Sequence, residues 1–406
     1  MISLFKYFKD IGLPIIAFML FFLIDPFKMG HLGGYGVTLL VLSKKELISS
    51  QIDADVVVLF FFSIVYAIFY TFTPDFSVQG TLFYVFFPTA FFLLGKYVVI
   101  KTRRVKDLYL FFFVVGFLFS LTALLSVGLN LIEGGFKQFE RTIPLFWNGH
   151  LVSATLMGSF FTFNMCIPAL LIVQQGKLNL IQKLVAMAIF VASLLCTFRL
   201  GSRTQSVIAV FLTVIALIYI IPRQSRDKNL RLIIMLGVVA IMVYLYVPLN
   251  LDADYLSVLG NRLDDSKNTA SAGGRTERWT KSLYNLFRKP LGWSFEEFGY
   301  SHNLWLDVAQ VTGLIPFFAV LFFTYKNIKK TIRAVLKRGG DLSFRTMILA
   351  FTISANLLFF VEPVMQGTFY MFVVYCFFQG AISKYYFFIE DLPVTGKEKI
   401  QSTSNR

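Results

Sequence analysis

LYLFFFVVGFLFSLTALLSVGLNL, residues 108–131, carries no charged side chain over a length that matches the hydrocarbon thickness of a bilayer. A segment in hydrocarbon must satisfy its backbone polar groups internally, so such a run is a membrane helix; a closed barrel would show short strands of alternating polarity instead. Runs of this kind recur along the chain. The protein has 406 residues, of which 56% are hydrophobic, and it reads as an all-α polytopic membrane protein, residues 1–406 forming a single integral membrane domain.

The runs number about twelve by the same length rule. They cover residues 11–27, 33–48, 56–73, 81–99, 108–131, 151–173, 184–200, 205–222, 231–249, 303–325, 346–361 and 368–388. The first, IGLPIIAFMLFFLIDPF, lacks a small-residue cleavage site and is expected to stay as a helix. The second is the weakest, being short and glycine-rich. With twelve spans, SKKE, KTRRVKD, QQGKLNLIQK, PRQSRDKNLR and YKNIKKTIRAVLKRGGDLSFR fall on one side with both termini. Most of the 38 basic residues lie there, and basic loops face the cytoplasm. The net charge of +15 therefore reports topology before any nucleic-acid partner. The three cysteines, Cys166, Cys196 and Cys376, all sit inside apolar runs, which excludes a disulfide framework and points to packing.

Two long segments face outward, residues 132–150 and 250–302, the second between spans nine and ten. The topology rule does not call for basic residues there, yet they hold Arg141, Arg262, Arg275, Arg278 and Arg288, with Arg199 and Arg203 at a nearby span junction. Arginine suits a site that must hold phosphate or carboxylate oxygens. The plainer account pairs these arginines with the loop's own Asp252, Asp254, Asp264, Asp265, Glu277, Glu296 and Glu297, or lets Arg199 snorkel to the interface.

YSHNLWLDV, residues 300–308, reads as a helix start in which Ser301 or Asn303 caps and Asp307 sits in the first turns. His302 there meets the positive end of the helix dipole and any arginine the loop folds back, and both disfavour the imidazolium. A neutral ring is what a general base needs; the plainer account is an interfacial or capping histidine. Trp293 and Tyr300 stand near enough in sequence to serve as sugar platforms, whereas His31 and His150 read as interfacial. Glu362, in FFVEPVMQG, is expected either to orient His302 or an acceptor sugar or to form a structural ion pair, the last being favoured.

The segment from Gly273 to Phe317 resembles the conserved region of the O-antigen polymerase and ligase superfamily, the Wzy and WaaL type. The resemblance rests on Gly274-Arg275 with Trp279, on Pro290-Leu291-Gly292, and on Ser301-His302-Asn303 with Gly313 eleven residues after the histidine. LGSRTQS is similar to the family's Ser-Arg at a helix start and places it on Arg203. ERTIPLFWNGH looks like its earlier outward segment, on Arg141 and Asn148. The likeness covers roughly residues 130–320.

The resemblance implies a GT-C-like glycosyltransferase in the bacterial inner membrane that works on the periplasmic face. Its donor would be an undecaprenyl-pyrophosphate-linked oligosaccharide. Arg203 and Arg275 would hold the pyrophosphate, Arg141, Arg278 and Arg288 would assist, Asn303 would contact substrate, and His302 would take the acceptor's proton. It implies no cofactor and no metal, the lipid bilayer as surroundings, no nucleic acid, and a Wzz-type chain-length regulator as a partner. Ligases of the family tend to carry Glu-Gly starting eight residues after the histidine, where this chain has Gln310 and Val311. That departure favours the polymerase and leaves the ligase open. Twelve spans with both termini inside is also a transporter layout, including lipid-linked oligosaccharide flippases, although no half-to-half repeat is visible.

Overall fold

A computed structural model describes residues 2–390 apart from 46, 47, 49, 75, 139, 175–177, 247–252, 265–273, 338 and 339. Asp252 and Asp265 lie outside the described residues, as do the side chains of Arg262 and Asp264. In chain order the elements are α1 (Ile2–Ile11), α2 (Leu13–Ile24), α3 (Gly30–Ser43), α4 (Ala54–Tyr70), α5 (Val78–Ile100) and α6 (Val105–Gly134). A hairpin of β1 (Thr142–Pro144) and β2 (Leu151–Ser153) follows, then α7 (Ala154–Ser159), α8 (Ile167–Leu171), α9 (Leu180–Arg199), α10 (Arg203–Ile220), α11 (Arg226–Tyr246) and α12 (Ser257–Asp264). The chain ends with α13 (Arg275–Arg288), α14 (Leu304–Thr312), α15 (Leu314–Leu336), α16 (Leu342–Val361), α17 (Val364–Gly367) and α18 (Phe369–Glu390).

Among the described residues six helices, α5, α6, α9, α10, α11 and α16, are long and apolar enough to cross a membrane. The chain is thus a helical membrane protein. A further pair, α1 with α2, passes the same test together but bends by 100° at Gly12, whose φ is 113°. The other expected spans differ for physical reasons. The segment 33–48 becomes the 14-residue α3, and 56–73 the 17-residue α4. Segment 151–173 is no single helix: it opens as β2 and then breaks between α7 and α8. Segment 303–325 is divided at Gly313 into α14 and α15. Tyrosines, Gln379 and Lys384 lower the hydropathy of α18. The expectation of purely helical structure is also corrected by the hairpin, which pairs Ile143 with Val152.

The chain divides into two compact units, Met1–Val115 with Gly274–Gly340 and Ala355–Arg406, and Gly116–Gly273 with Asp341–Ser354. In the first unit α5 and α18 cross with their backbones nearly touching. A Cβ at Gly95 would lie 2.0 Å from the Phe377 carbonyl, and one at Gly380 would lie 1.9 Å from the Phe92 carbonyl. Small residues permit this approach where lipid offers no hydrophobic drive for helix association. Around the crossing, Asp55 at the start of α4 forms ion pairs with Lys326 (2.5 Å) and Lys330 of α15. Lys330 also donates to Ser383 of α18 at 2.8 Å, and Lys96 pairs with Asp53 at 2.7 Å.

In the second unit the amide of Asn164 donates to Ser120 and Ser193 at 2.6 and 2.9 Å, tying α6, the α7–α8 connection and α9. The three cysteines are buried and unpaired, as packing residues should be.

Candidate functional site

Helix α13 begins at Gly274, whose φ of 77° lets the chain turn into the helix. Arg275 and Arg278 share one face, three residues apart. The Arg278 guanidinium donates to the Tyr300 carbonyl at 3.2 Å, and the Trp279 indole donates to the Ser301 carbonyl at 2.8 Å. The hydroxyls of Ser282 and Ser301 meet as well. One helix face therefore grips the backbone just before His302.

The motif residues of the sequence prove to be a packing unit. Pro290 accepts from Leu314 N at 2.8 Å, and Gln310 accepts from Trp293 N at 2.9 Å. Gly292 (φ 104°) and Gly313 (φ 76°) lie where a Cβ would strike the Gln310 carbonyl at 2.5 Å and the Pro290 carbonyl at 2.1 Å. Gly313 ends α14 and fixes the start of α15, which divides the expected span. Gln310 spends its amide on the Gly299 carbonyl at 3.1 Å, so the residue that departs from the ligase pattern holds this fold together.

Asn303 is the N-cap of α14: its side-chain oxygen accepts from Leu306 N at 3.2 Å, and its amide donates to the Phe360 carbonyl at 3.4 Å. It is buried, which makes it a capping residue of the site and not a free ligand for substrate. Asp307, also buried, accepts from the backbone of Ser301 and Asn303. Between those two residues His302 adopts a left-handed backbone, φ 55°, and stays half-buried. Its Nδ1 is sheltered and has no hydrogen-bond partner. Burial, then Arg275 and Arg278, lower its pKa to about 4, so the ring is neutral at pH 7. This is the direction expected for a base, with the arginines in the expected place.

The arginines divide by position. Arg275 pairs with Glu362 at 3.5 Å. Arg288, exposed and thirteen residues along α13, lies about 20 Å from Arg275 by helix rise. Its guanidinium stacks 4.1 Å over Tyr284, apart from the group around His302, which corrects its assignment to that group. Among the described residues three of the loop's carboxylates pair with lysines, the first being Asp254 with Lys137 at 2.8 Å. Glu277 pairs with Lys281 and Glu297 with Lys289, both at 2.6 Å. Trp293 is corrected too: it is buried against Leu286 and Ala309, a core residue and no sugar platform. Tyr300 is partly exposed and packs its ring 4.5 Å from Phe295.

The remaining candidates belong to the second unit. Arg203 opens α10, and exposed Arg141 precedes β1, its carbonyl accepting from Ala154 N at 2.7 Å. Asn148 closes the hairpin turn by accepting from His150 N at 3.1 Å. Arg199 does not snorkel. It is 1% exposed and donates to the Gln138 carbonyl at 2.9 Å and the Gln138 side chain at 3.1 Å, fastening the 132–150 segment to α9. Sequence reasoning missed this clamp, and it missed Asp307 as the anchor of the His302 turn; the only signal for the latter was a carboxylate five residues after the histidine. No model of a known protein family matches the chain, and none of the curated proteins does.

Proposed function

We propose that the chain is a glycosyltransferase of the O-antigen polymerase type. It joins undecaprenyl-pyrophosphate-linked repeat units on the periplasmic face of the bacterial inner membrane. The observation that carries this reading is the setting of His302: a half-buried, neutral imidazole on a strained turn, in the field of two arginines. Trp279, Ser301 and Asn303, which carry part of the family resemblance, help to build this turn, which is a second support.

The chemistry follows from those groups. The acceptor hydroxyl gives its proton to His302, and its oxygen bonds to the anomeric carbon of the donor from the face opposite the leaving group. The bond from that carbon to the pyrophosphate oxygen breaks, the anomeric centre inverts, and undecaprenyl pyrophosphate departs with the electron pair. Arg275 and Arg278 stabilise the charge that grows on the leaving oxygen, which is where preorganised donors lower a barrier most. Pyrophosphate leaves readily, so a pair of glycosidase-type carboxylates is not required. Twelve spans with both termini cytoplasmic would place the segment 250–302 on the side where flipped repeat units arrive.

The test is lipopolysaccharide assembly in a strain lacking the gene. A polymerase defect leaves core carrying a single repeat unit, and the wild-type gene restores a ladder. Bare core with long polymer accumulating on the lipid carrier identifies a ligase. Repeat units retained on the cytoplasmic leaflet identify a transporter and contradict the reading.

A further inference from the structure

A non-glycine residue holds a left-handed backbone only where its surroundings over-determine it, and at His302 the determining group is the Asp307 carboxylate. One oxygen accepts from Ser301 N at 2.7 Å and the other from Asn303 N at 3.0 Å, so a single side chain ties down both neighbours of the histidine. Asp307 is wholly buried, while His302 between the tied residues remains the more exposed member of the turn. The helix does not need Asp307 as a cap, because Asn303 already serves Leu306 N. Burying a carboxylate is costly, and the hydrogen bonds that offset part of that cost here come from the turn.

We propose that Asp307 is the positioning residue of the site, holding the Ser301–Asn303 turn so that the His302 ring is presented to substrate while Asp307 itself touches none. The proposal rests on the reading of His302 as proton acceptor. A carboxylate accepts at both oxygens, whereas an amide places an NH2 against one backbone N–H, so Asp307→Asn releases one side of the turn.

The test uses the full chain in lipid nanodiscs with purified lipid-linked repeat units, together with NMR of isotope-labelled histidine. The protein has three histidines, which makes the spectrum assignable by substitution. Asp307→Asn is expected to slow polymer formation by about 100-fold, the cost of misplacing a catalytic group by about an ångström. The His302 resonance should move while those of His31 and His150 stay. The double variant with His302→Ala should be no slower than His302→Ala alone. If Asp307→Asn moves all three resonances, Asp307→Glu decides, since it keeps the charge and displaces the oxygens; the same rate loss and single moved resonance are expected. A wild-type rate in that deciding variant beside an inactive His302→Ala overturns this proposal alone, as does a double variant slower than His302→Ala by the full Asp307 factor. A wild-type rate in His302→Ala overturns the reading of His302 on which the proposal rests.

Discussion

The Arg275 guanidinium stands 3.5 Å from the Glu362 carboxylate, joining the first turn of α13 to the end of α16. Glu362 is nearly buried, and Arg275 keeps about a quarter of its side chain exposed, so the pair fixes the arginine without using all five of its donors. Arg275→Ala should lower polymer formation by about 100-fold, in the range found on removing one preorganised donor. Glu362→Gln should cost less, since the arginine remains. Arg288→Ala, on an exposed residue stacked on Tyr284, should stay within about twofold of wild type, as surface changes do. Equal losses in Arg275→Ala and Arg288→Ala would contradict the division drawn between them.

Gly313 is where the motif is least tolerant of change. A Cβ would meet the Pro290 carbonyl at 2.1 Å, on a backbone that disfavours side chains in any case. Gly313→Ala should destabilise the protein by at least about 1–3 kcal/mol. A lowered thermal midpoint of the detergent-solubilised protein would show it; an unchanged midpoint would refute the close approach.

Asn303 as a helix cap and His302 as a neutral ring beside arginines were legible in the sequence, because capping and charge proximity follow from local order once a helix start is recognised. The break at Gly313, the burial of Trp293 and the clamp by Arg199 were not, since each depends on a backbone or loop distant in sequence. Length and apolarity located α5, α6, α9, α10, α11 and α16, whereas the short α3 and the broken 151–173 segment show that apolar composition alone does not make one straight helix. Glu362 as an ion-pair partner was foreseen without its partner being known.

The pH dependence of the reaction carries information on substrate charge. Because the His302 pKa lies near 4, the free protein keeps the ring unprotonated from neutral pH down to that value and loses it only below. An anion seated on Arg275 and Arg278 offsets their share of the lowering and raises the pKa. The His302 ring resonance of the free protein should therefore titrate near pH 4, and with substrate bound it should titrate higher. NMR of isotope-labelled histidine across the acid range follows the ring itself, apart from the neighbouring Asp307; a free-protein midpoint in the ordinary histidine range would contradict the assignment.

Asp55 is the hub of a separate ionic knot in the first unit. It is 1% exposed and holds both Lys326 and Lys330. Asp55→Ala strands two mostly buried ammonium groups and should cost about 3–5 kcal/mol, the usual penalty for breaking a buried pair from one side. Thermal melting of the purified protein checks this. Wild-type stability would show that the lysines find other partners.

The central claim is that His302 belongs to the reaction, and lipopolysaccharide from the deletion strain carrying wild type or His302→Ala tests it most directly. Both proteins must first be shown to reach the membrane in equal amount. The account predicts a ladder from wild type and core bearing one repeat unit from His302→Ala. A full ladder from His302→Ala would contradict it and leave the histidine as part of a turn.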